Sequence, residues 1–314
     1  MSQKISVTGH TSVDYLLTVE QMAGPNSSAP VLDCREYFGG GAANVAAAIA
    51  CLGGDVELIS PVGKDFEQKE YDKELERFGV DLSKLYHIPD QSLSKAFVIT
   101  DAASNQTTYF YWGAAAKLAE AKPPHVPFVH MVTADCFFNA KMSQAADFVS
   151  FDPGQDLVTY QKEPLNTILE NTDILFANRH EIRRVMEISD RTFEELKNMI
   201  GLIIVTCDKE GSMLYENEIK DGKCIRSDKT IIPAVLANAV DPTGAGDSYK
   251  AGFLTAFTKG YPPKICCQVG SVVSSFVVEK VGCQTNLPDW NRMKERYALH
   301  FNVSDLDEFR KDLK

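Results

Sequence analysis

A stretch near the carboxyl end of the chain, VDPTGAGDSYKAGF at residues 240–253, combines residue types that suit phosphoryl chemistry. Gly244 and Gly246 permit a tight turn before an expected helix start near Asp247, where several backbone N–H groups would point at one spot. Such a spot suits a phosphoryl group, and Asp247 at its rim can accept a proton from an attacking hydroxyl group. The same residues also fit a plain glycine turn followed by an acid that favours the first helical turn, so the motif alone leaves both interpretations open.

A second glycine-rich stretch, YFGGGAAN at residues 37–44, leads directly into a predicted amphipathic helix. Gly40 and Gly41 let a ligand approach the backbone, and Asn44 on the first turn can hydrogen-bond to a polyol. The stretch does not follow the G-x-G-x-x-G pattern of dinucleotide sites, and the sequence contains no G-x-x-x-x-G-K-[ST] phosphate loop. We therefore take it as a candidate site for a hydroxylated ligand.

Short apolar strands and amphipathic helices alternate between these motifs. Strand candidates lie at 4–10, 55–63, 128–134, 148–152, 173–178 and 201–206, with helical periodicity between most of them. This alternation predicts an α/β fold, a doubly wound, mainly parallel sheet with helices on both faces. Residues 11–38 and 94–112 break the alternation and predict a small β-sheet, a candidate lid, so we expect one domain over residues 1–314.

The composition is that of an ordinary globular protein, with 44% hydrophobic and 24% charged residues. The formal net charge of -11 argues against nucleic acid or a membrane as a partner, since neither would attract an acidic protein. No apolar run reaches the ~18 residues of a membrane span, and MSQKISV lacks the pattern of a signal peptide. The eight cysteines show no C-x-x-C pair or metal-ligand spacing, so we expect reduced thiols in a cytoplasmic protein.

The two glycine-rich motifs together resemble the paired signatures of the ribokinase-like, or phosphofructokinase-B (PfkB), kinase family. GGGAANVAAAIACLGG lies near the amino terminus and DPTGAGDSYKAGF near the carboxyl terminus, in the family's order. The family's fold is a doubly wound α/β domain with a small β lid, which matches the predicted layout. The resemblance implies that Asp247 is the catalytic base and that the backbone of Gly244, Ala245 and Gly246 forms the anion hole.

The same resemblance implies a site for the acceptor of the phosphoryl group. Asp14 in GHTSVDY matches the acid that holds the acceptor's hydroxyl groups, although it also fits a plain turn acid after a strand. Asn44 and the backbone of Gly40 and Gly41 would hold the same sugar.

A donor site for ATP is implied as well. Asn178 and Glu181 in ANRHE match the family's Asn-x-x-Glu motif of the Mg²⁺ and phosphate network, and they also fit a helix N-cap with a capping box. The family's Thr-x-Gly-x-x-Gly turn, which the ATP phosphates and ribose pass, is retained as Thr206 and Gly211. Asp208 replaces the first glycine of that turn, and a carboxylate there would weaken or redirect donor binding.

A monovalent cation site is implied beside the second motif. Asp241 and Thr243 match positions that often help to bind such a cation, together with carbonyl groups of the VGCQTN loop. The implied cofactors are therefore ATP and Mg²⁺, with K⁺ as a further candidate.

Longer stretches indicate which acceptor the resemblance implies. GHTSVDY, YFGGGAANVA, NQTTYFYWGAA, VSFDPGQDL and FVVEKVGCQTNLP are similar, in order and spacing, to the archaeal-type broad-specificity nucleoside kinases of the family. The implied reaction converts MgATP and a nucleoside such as adenosine, inosine, guanosine or cytidine to the 5′-monophosphate and ADP. The aromatic residues of the lid hairpin, from Phe97 to Trp112, suit either packing or contact with a nucleobase.

Two other functions stay open at this point. One is a sugar kinase of the ribokinase or fructokinase type, and the other is a non-catalytic nucleotide-binding regulator on a kinase fold. A homodimer through the lid is a further expectation, because lids in this family sometimes form dimer sheets.

Overall fold

The structure is a computed structural model that describes residues 3–103 and 105–308 of the 314-residue chain. The strands are β1 (Ile5–Thr8), β2 (Ser12–Val19), β3 (Val31–Gly39), β4 (Val56–Ile59), β5 (Pro61–Gly63), β6 (Tyr86–Ile88), β7 (Ser94–Thr100), β8 (Gln106–Tyr111), β9 (Val126–Met131), β10 (Ala146–Phe151), β11 (Ile174–Asn178), β12 (Leu202–Thr206), β13 (Ser212–Lys220) and β14 (Lys223–Ile232). The α-helices are α1 (Gly41–Cys51), α2 (Tyr71–Phe78), α3 (Cys136–Ser143), α4 (Lys162–Glu170), α5 (Arg179–Ser189), α6 (Phe193–Lys197), α7 (Ala245–Thr258), α8 (Pro263–Val277), α9 (Trp290–His300) and α10 (Ser304–Glu308). Within these residues, no helix has the length and apolar character needed to cross a bilayer.

The central sheet has eight strands in the order β14-β13-β12-β11-β10-β9-β1-β4. The strands from β12 to β4 run parallel to one another, and the β13–β14 hairpin extends one edge in antiparallel pairing. Helices α1, α7 and α8 contribute to the apolar cluster on one face, and α3, α4 and α5 contribute to the cluster on the other. The predicted doubly wound, mainly parallel α/β fold is therefore confirmed.

Strands that are buried on both faces explain why the sequence shows uninterrupted apolar runs. In β11, Ile174 and Phe176 lie in one apolar cluster, and Leu175 between them lies in the other. On the first face, α7 lies close to α8, because a Cβ on Gly252 would be only 2.9 Å from Gly270 Cα. This close packing holds α7, which carries the second glycine-rich motif, against the body of the protein.

The expected single strand over 55–63 is wrong, because the chain leaves the central sheet in the middle of that segment. Strand β4 ends at Ile59, and Pro61 begins β5, which pairs with β6 in a separate two-stranded sheet. Pro61 has no N–H group with which to continue the ladder. Between the two strands, Ser60 Oγ donates to the carbonyl oxygen of Gly9 at 2.7 Å, which fixes the point where the chain turns away.

A four-stranded sheet with the order β3-β2-β7-β8 lies apart from the central sheet. Its two hairpins, β2–β3 and β7–β8, join through parallel pairing of β2 with β7. The strands come from the two segments that break the α/β alternation, so the predicted small sheet is confirmed. Its action as a lid stays a prediction.

Candidate active site

The two glycine-rich motifs meet in the fold, although 203 residues separate Asn44 from Asp247. Asn44 Nδ2 donates to Asp247 Oδ2 at 3.0 Å, which joins the first turns of α1 and α7. The start of α1 is also tied to the chain after β1, because Ala42 N donates to the carbonyl oxygen of His10 at 3.2 Å. Two helix N-termini therefore adjoin at this place, and their partial positive charges favour a bound anion.

Each of these helices begins after a glycine with a positive φ angle, 95° for Gly40 and 80° for Gly244. A Cβ on Gly40 would lie 2.5 Å from the carbonyl oxygen of His10 and 2.6 Å from the backbone nitrogen of Ser12. A Cβ on Gly244 would lie 2.9 Å from Cys283 Cβ. Both glycines are thus required by the backbone conformation and by close packing.

Gly40→Ala is expected to lower the free energy of unfolding by about 3 kcal/mol or more, because a strained φ angle is combined with a backbone clash. Gly53 is the matched control, since its φ is also positive, at 73°, but a Cβ there meets no atom within 4 Å. Gly53→Ala is expected to cost only about 1 kcal/mol. Urea unfolding measures both variants, and equal losses would contradict the proposed clash.

Buried hydrogen bonds fix the orientation of Asn44, which is 5% exposed. Gln284 Nε2 donates two hydrogen bonds, to Asn44 Oδ1 at 2.9 Å and to the Tyr71 hydroxyl oxygen at 2.7 Å. That hydroxyl group donates in turn to the carbonyl oxygen of Gly39 at 2.9 Å. Because Gln284 engages its oxygen, Asn44 presents its NH₂ group to Asp247 and orients that carboxylate.

Asp14 on β2 lies beside the same place. A Cβ on Gly39 would be 2.1 Å from Asp14 Oδ2, so the carboxylate packs directly on the Gly39 backbone. Ser12 Oγ donates to Asp14 Oδ1 at 2.8 Å. Burial raises the pKa of Asp14 to about 6, the hydrogen bond from Ser12 opposes this rise, and the charge of Asp247 adds to it. The two carboxylates therefore influence each other across one site.

Asp247 is largely enclosed but stays accessible, with 21% of its side chain exposed. Burial raises the pKa of Asp247, whereas the charge of Lys250 and the hydrogen bond from Asn44 lower it. A carboxylate with a raised pKa is a stronger proton acceptor than an ordinary aspartate. The arrangement thus suits a general base that a substrate can reach.

The turn before α7 offers backbone donors next to this carboxylate. Ala245 N donates to the carbonyl oxygen of Pro242 at 3.1 Å. The N–H groups of Gly244 and Gly246, by contrast, find no acceptor within residues 3–103 and 105–308. Of the predicted anion-hole residues, these two therefore have N–H groups that remain available to a ligand.

A buried acidic cluster that was not predicted from the sequence lies next to Asp247. Asp152, directly after β10, forms an ion pair with Lys250, whose Nζ lies 3.9 Å from Asp247 Oδ1. Asp152 is 1% exposed, and its Oδ1 has no hydrogen-bond partner in the described part of the chain. Burial and the charge of Asp152 raise the pKa of Glu181 to about 7. The cluster of Asp152, Glu181 and Asp247 around one lysine therefore favours additional positive charge.

Asn178 and Glu181 form the capping box of α5. Asn178 Oδ1 accepts hydrogen bonds from the N–H groups of His180 at 2.8 Å and Glu181 at 2.9 Å. Glu181 Oε2 accepts from Asn178 N at 2.7 Å. The capping interpretation is confirmed, and Glu181 also belongs to the acidic cluster through its coupling to Asp152.

Asp241 ties the loop before α7 to the VGCQTN loop. Its Oδ1 accepts from Thr243 N at 2.9 Å and from Thr243 Oγ1 at 2.6 Å. Its Oδ2 accepts from the N–H group of Gly282 at 3.1 Å. Asp241 therefore shapes the turn through these hydrogen bonds, while its predicted contact with a cation stays a prediction.

The predicted donor turn follows β12, with Thr206 as the last residue of that strand. Cys207 N donates to the carbonyl oxygen of Gly211 at 2.7 Å, which closes the turn. A Cβ on Gly211 would lie 2.0 Å from the carbonyl oxygen of Ile232, so this glycine is required. Asp208 is exposed and has a φ of 49°, a left-handed conformation that glycine favours and aspartate tolerates. Aspartate in place of glycine is therefore compatible with this turn.

An aromatic cluster surrounds His10, whose carbonyl oxygen accepts a hydrogen bond from Ala42 N at the start of α1. The rings of Phe110 and Trp112, at the end of the β7–β8 hairpin, each lie 5.2 Å from the His10 ring, measured between centroids. Tyr109 and Tyr111, which alternate with them along the strand, are exposed. The hairpin thus turns one aromatic face toward the body of the protein and the other toward solvent.

Asp152, Lys250 and Gln284 belong to this arrangement but not to the site predicted from the sequence. Asp152 carried a usable signal, because it directly follows a buried parallel strand, at the sheet edge where ligands bind. Lys250 also carried one, since it lies three residues after Asp247 on the same face of a helix. Gln284 lies in the VGCQTN loop that the resemblance implicates through its carbonyl groups, but no pattern indicates that its side chain reaches Asn44, 240 residues away.

Sequence comparison identifies relatives over almost the whole chain. Residues 2–290 match the pfkB family of carbohydrate kinases. The nucleoside kinase of Methanocaldococcus jannaschii is 42% identical over 304 residues, which cover 95% of this chain and 98% of that protein. The nucleoside kinase of Methanothermobacter thermautotrophicus is 40% identical over 303 residues, which cover 93% of this chain and 95% of that protein.

Solved structures with the same fold include two nucleoside kinases. The crystal structure of the Methanocaldococcus jannaschii nucleoside kinase matches with a TM-score of 0.87 and covers 95% of this chain and 99% of that chain. The Burkholderia thailandensis nucleoside kinase in complex with inosine matches with a TM-score of 0.82 at 25% identity, and it covers 95% of this chain and 97% of that chain. By sequence and by structure, the chain therefore belongs to the pfkB family of carbohydrate kinases.

Proposed function

We propose that the protein is a nucleoside kinase that transfers the γ-phosphoryl group of ATP to the 5′-hydroxyl group of purine and pyrimidine nucleosides. The observation that carries this proposal is the 3.0 Å hydrogen bond between Asn44 and Asp247. It joins a candidate sugar-binding residue to a proton acceptor at a helix N-terminus that has free N–H groups. The 42% identity with the Methanocaldococcus jannaschii nucleoside kinase supports a nucleoside as the acceptor.

In this mechanism, Asp247 accepts the proton of the 5′-hydroxyl group as its oxygen attacks phosphorus. Asn44 holds Oδ2 of the carboxylate, which leaves Oδ1 to meet the hydroxyl group. The N–H groups of Gly244 and Gly246 stabilise the negative charge on the transferred group, since they are fixed before the reaction begins. The helix start at residues 244–247 thus binds the anion and positions the base.

The acceptor sugar is held by Asp14, Asn44 and the backbone of Gly40 and Gly41. Asp14 accepts hydrogen bonds from vicinal hydroxyl groups, and this favours ribonucleosides over 2′-deoxynucleosides. The nearby half-buried rings of Phe110 and Trp112, which pack against the buried His10 ring, offer flat apolar surfaces to a base. A free sugar would leave that cluster unused, which supports a nucleoside as the acceptor.

The site for ATP fits a magnesium ion whose ligands come mostly from the ATP phosphates and water. Among the described residues, no three His, Cys, Asp or Glu side chains form a metal site. Mg²⁺ typically binds one or two carboxylates together with phosphate oxygens and water. Glu181 and the unpartnered Oδ1 of Asp152 supply such carboxylate oxygens. A bound Mg²⁺ would neutralise phosphate charge, while Asn178, Thr206 and Gly211 border the ATP.

Two further parts of the proposal concern the loop before α7 and the small sheet. Asp241 and Thr243, with carbonyl groups of the VGCQTN loop, would hold K⁺ through lone pairs that remain beside their loop hydrogen bonds. The four-stranded sheet would close over the acceptor as a lid and exclude water, which prevents hydrolysis of ATP. A homodimer through this sheet stays an expectation.

The test is ADP release from MgATP, with and without K⁺, in the presence of adenosine, inosine, guanosine, cytidine, ribose or fructose. We expect turnover with nucleosides and none with free sugars. Turnover with sugars alone would retain the mechanism but overturn the acceptor. No turnover with any of these acceptors would indicate that Asp208 redirects donor binding and that the protein uses a donor other than ATP. Thermal stabilisation by ligands without phosphoryl transfer would indicate a nucleotide-binding regulator instead.

A further inference from the structure

Lys250 is a buried cation within the acidic cluster, with 11% of its side chain exposed. Burial alone would lower the pKa of Lys250, but the charges of Asp152, Asp247 and Glu181 outweigh it and raise the pKa. The side chain is therefore a charged ammonium group that is paired with Asp152 and lies close to Asp247. In the proton transfer described above, Lys250 neither gives nor accepts the proton.

The ammonium group lies beside the turn that would bind the phosphoryl group. A Cβ built on Gly246 would be 3.5 Å from Lys250 Nζ and 4.0 Å from Lys250 Cε. Nζ is also 3.9 Å from Asp247 Oδ1, the oxygen that is left to meet the attacking hydroxyl group. A phosphoryl group that contacts the Gly246 N–H group and faces Asp247 must therefore lie close to this ammonium group.

The ion pair with Asp152 does not by itself explain why the Lys250 ammonium group lies beside the start of α7. Asp152 uses only Oδ2 for Lys250, and its buried Oδ1 is left without a partner in the described residues. Asp152 and Asp247 both lie within 4 Å of this ammonium group. A divalent cation that Asp152 helped to hold would compete with the lysine for that carboxylate. The lysine would then be directed toward the anion at the start of α7.

We infer that Lys250 is a catalytic residue that contacts the phosphoryl group during its transfer. The inference rests on the proposed function and adds a residue to it. In the step, the hydroxyl oxygen forms a bond to the γ-phosphorus, and the bond from that phosphorus to the bridging oxygen breaks. The electron pair of the broken bond leaves on ADP, and the hydroxyl proton moves to Asp247. Lys250 keeps its proton throughout and stabilises the charge on the transferred group.

The test compares Asp152→Asn with the double variant Asp152→Asn/Lys250→Met. Removal of the lysine alone would leave the Asp152 carboxylate buried and unpaired, whereas the two chosen variants differ only in the lysine. We expect both to unfold at similar temperatures and to bind adenosine alike. The double variant should have a kcat about 10²- to 10³-fold lower than Asp152→Asn, the usual effect of losing one fixed donor to a developing charge. Its affinity for inorganic phosphate, measured by calorimetry with adenosine present, should be at least about tenfold weaker.

Equal kcat values and equal phosphate affinities in the two variants would overturn the inference and leave Lys250 as the partner of Asp152 only. If the double variant does not fold, the single variant Lys250→Gln is compared with wild type instead. The glutamine amide can still donate a hydrogen bond to Asp152 but carries no charge. Lys162→Met is the control lysine, since Lys162 is exposed and paired with Asp190, and its kcat should be unchanged. A wild-type protein without nucleoside turnover would contradict the proposed function, whereas the phosphate affinities would still decide the role of Lys250.

Discussion

Asp247→Asn is expected to lower kcat for nucleoside phosphorylation by about 10²- to 10⁴-fold while nucleoside binding is retained. The amide cannot accept the hydroxyl proton, and the loss corresponds to about 3–5 kcal/mol in the barrier. The shape of the site should persist, because Asn44 Nδ2 can donate to the amide oxygen that replaces Oδ2. Folding should not suffer either, since burial raises the pKa of Asp247 and a neutral amide avoids the cost of a buried charge.

Steady-state kcat and calorimetric affinity for adenosine measure the two parts of this expectation. Asp289→Asn is the matched control, because Asp289 caps α9 by accepting from Arg292 N at 2.8 Å, and asparagine caps helices equally well. That variant should keep the wild-type kcat. Turnover near the wild-type level in Asp247→Asn would refute the assignment of the base.

The strands of the central sheet were predictable from the sequence where a short run of neighbouring residues carries the apolar pattern. DILFAN and GLIIVT each contain an uninterrupted apolar run, ILFA and LIIV, because their strands are buried on both faces. Both strands form within a residue of the expected bounds. The glycine-rich stretch before α1 predicts a helix with Asn44 on its first turn, and the helix begins at Gly41. Gly41, Ala42 and Ala43 open this helix before Asn44, and such small residues give little periodicity but allow close contact with the chain after β1.

The candidate site was predictable only in part. Asp247 and Asn44 were found because each lies in a glycine-rich motif with its own local signature. Their neighbours depend on the folded chain: Lys250 meets Asp152 across 98 residues, and Gln284 meets Asn44 across 240. No local sequence pattern predicts which carboxylate a buried lysine will contact, or which side-chain amide will orient a second side-chain amide. The charge balance of the site therefore follows from the structure.

Asp14→Asn is expected to weaken nucleoside binding, and to do so more for ribonucleosides than for 2′-deoxynucleosides. The charged acceptor of the ribose hydroxyl groups becomes a neutral amide, and loss of such a charge-assisted hydrogen bond weakens affinity by about 10- to 100-fold. Because the lost contact serves vicinal hydroxyl groups, the preference for adenosine over 2′-deoxyadenosine should shrink. KM values for the two nucleosides measure this change. Equal use of both by the wild-type protein would contradict the role of Asp14.

The same substitution is expected to stabilise the fold at neutral pH. Burial raises the pKa of Asp14 from 3.8 to about 6, so the folded state binds this proton more tightly than the unfolded chain does. The free energy of unfolding therefore falls as the pH rises from about 4 to about 6, and the full penalty of about 2–3 kcal/mol is present at pH 7. Asparagine avoids this penalty, so Asp14→Asn should be more stable than wild type at about pH 7 and similar to it near pH 4.

Urea unfolding at the two pH values measures this difference, with Asp33→Asn as the control. Asp33 lies on β3 of the same small sheet and pairs with Arg35 on the surface, so its substitution should change stability little at either pH. An Asp14→Asn variant that is less stable than wild type at pH 7 would show that the carboxylate supports the fold. A more stable variant with weakened nucleoside binding would instead show that Asp14 is kept at the expense of stability, as expected for a binding residue.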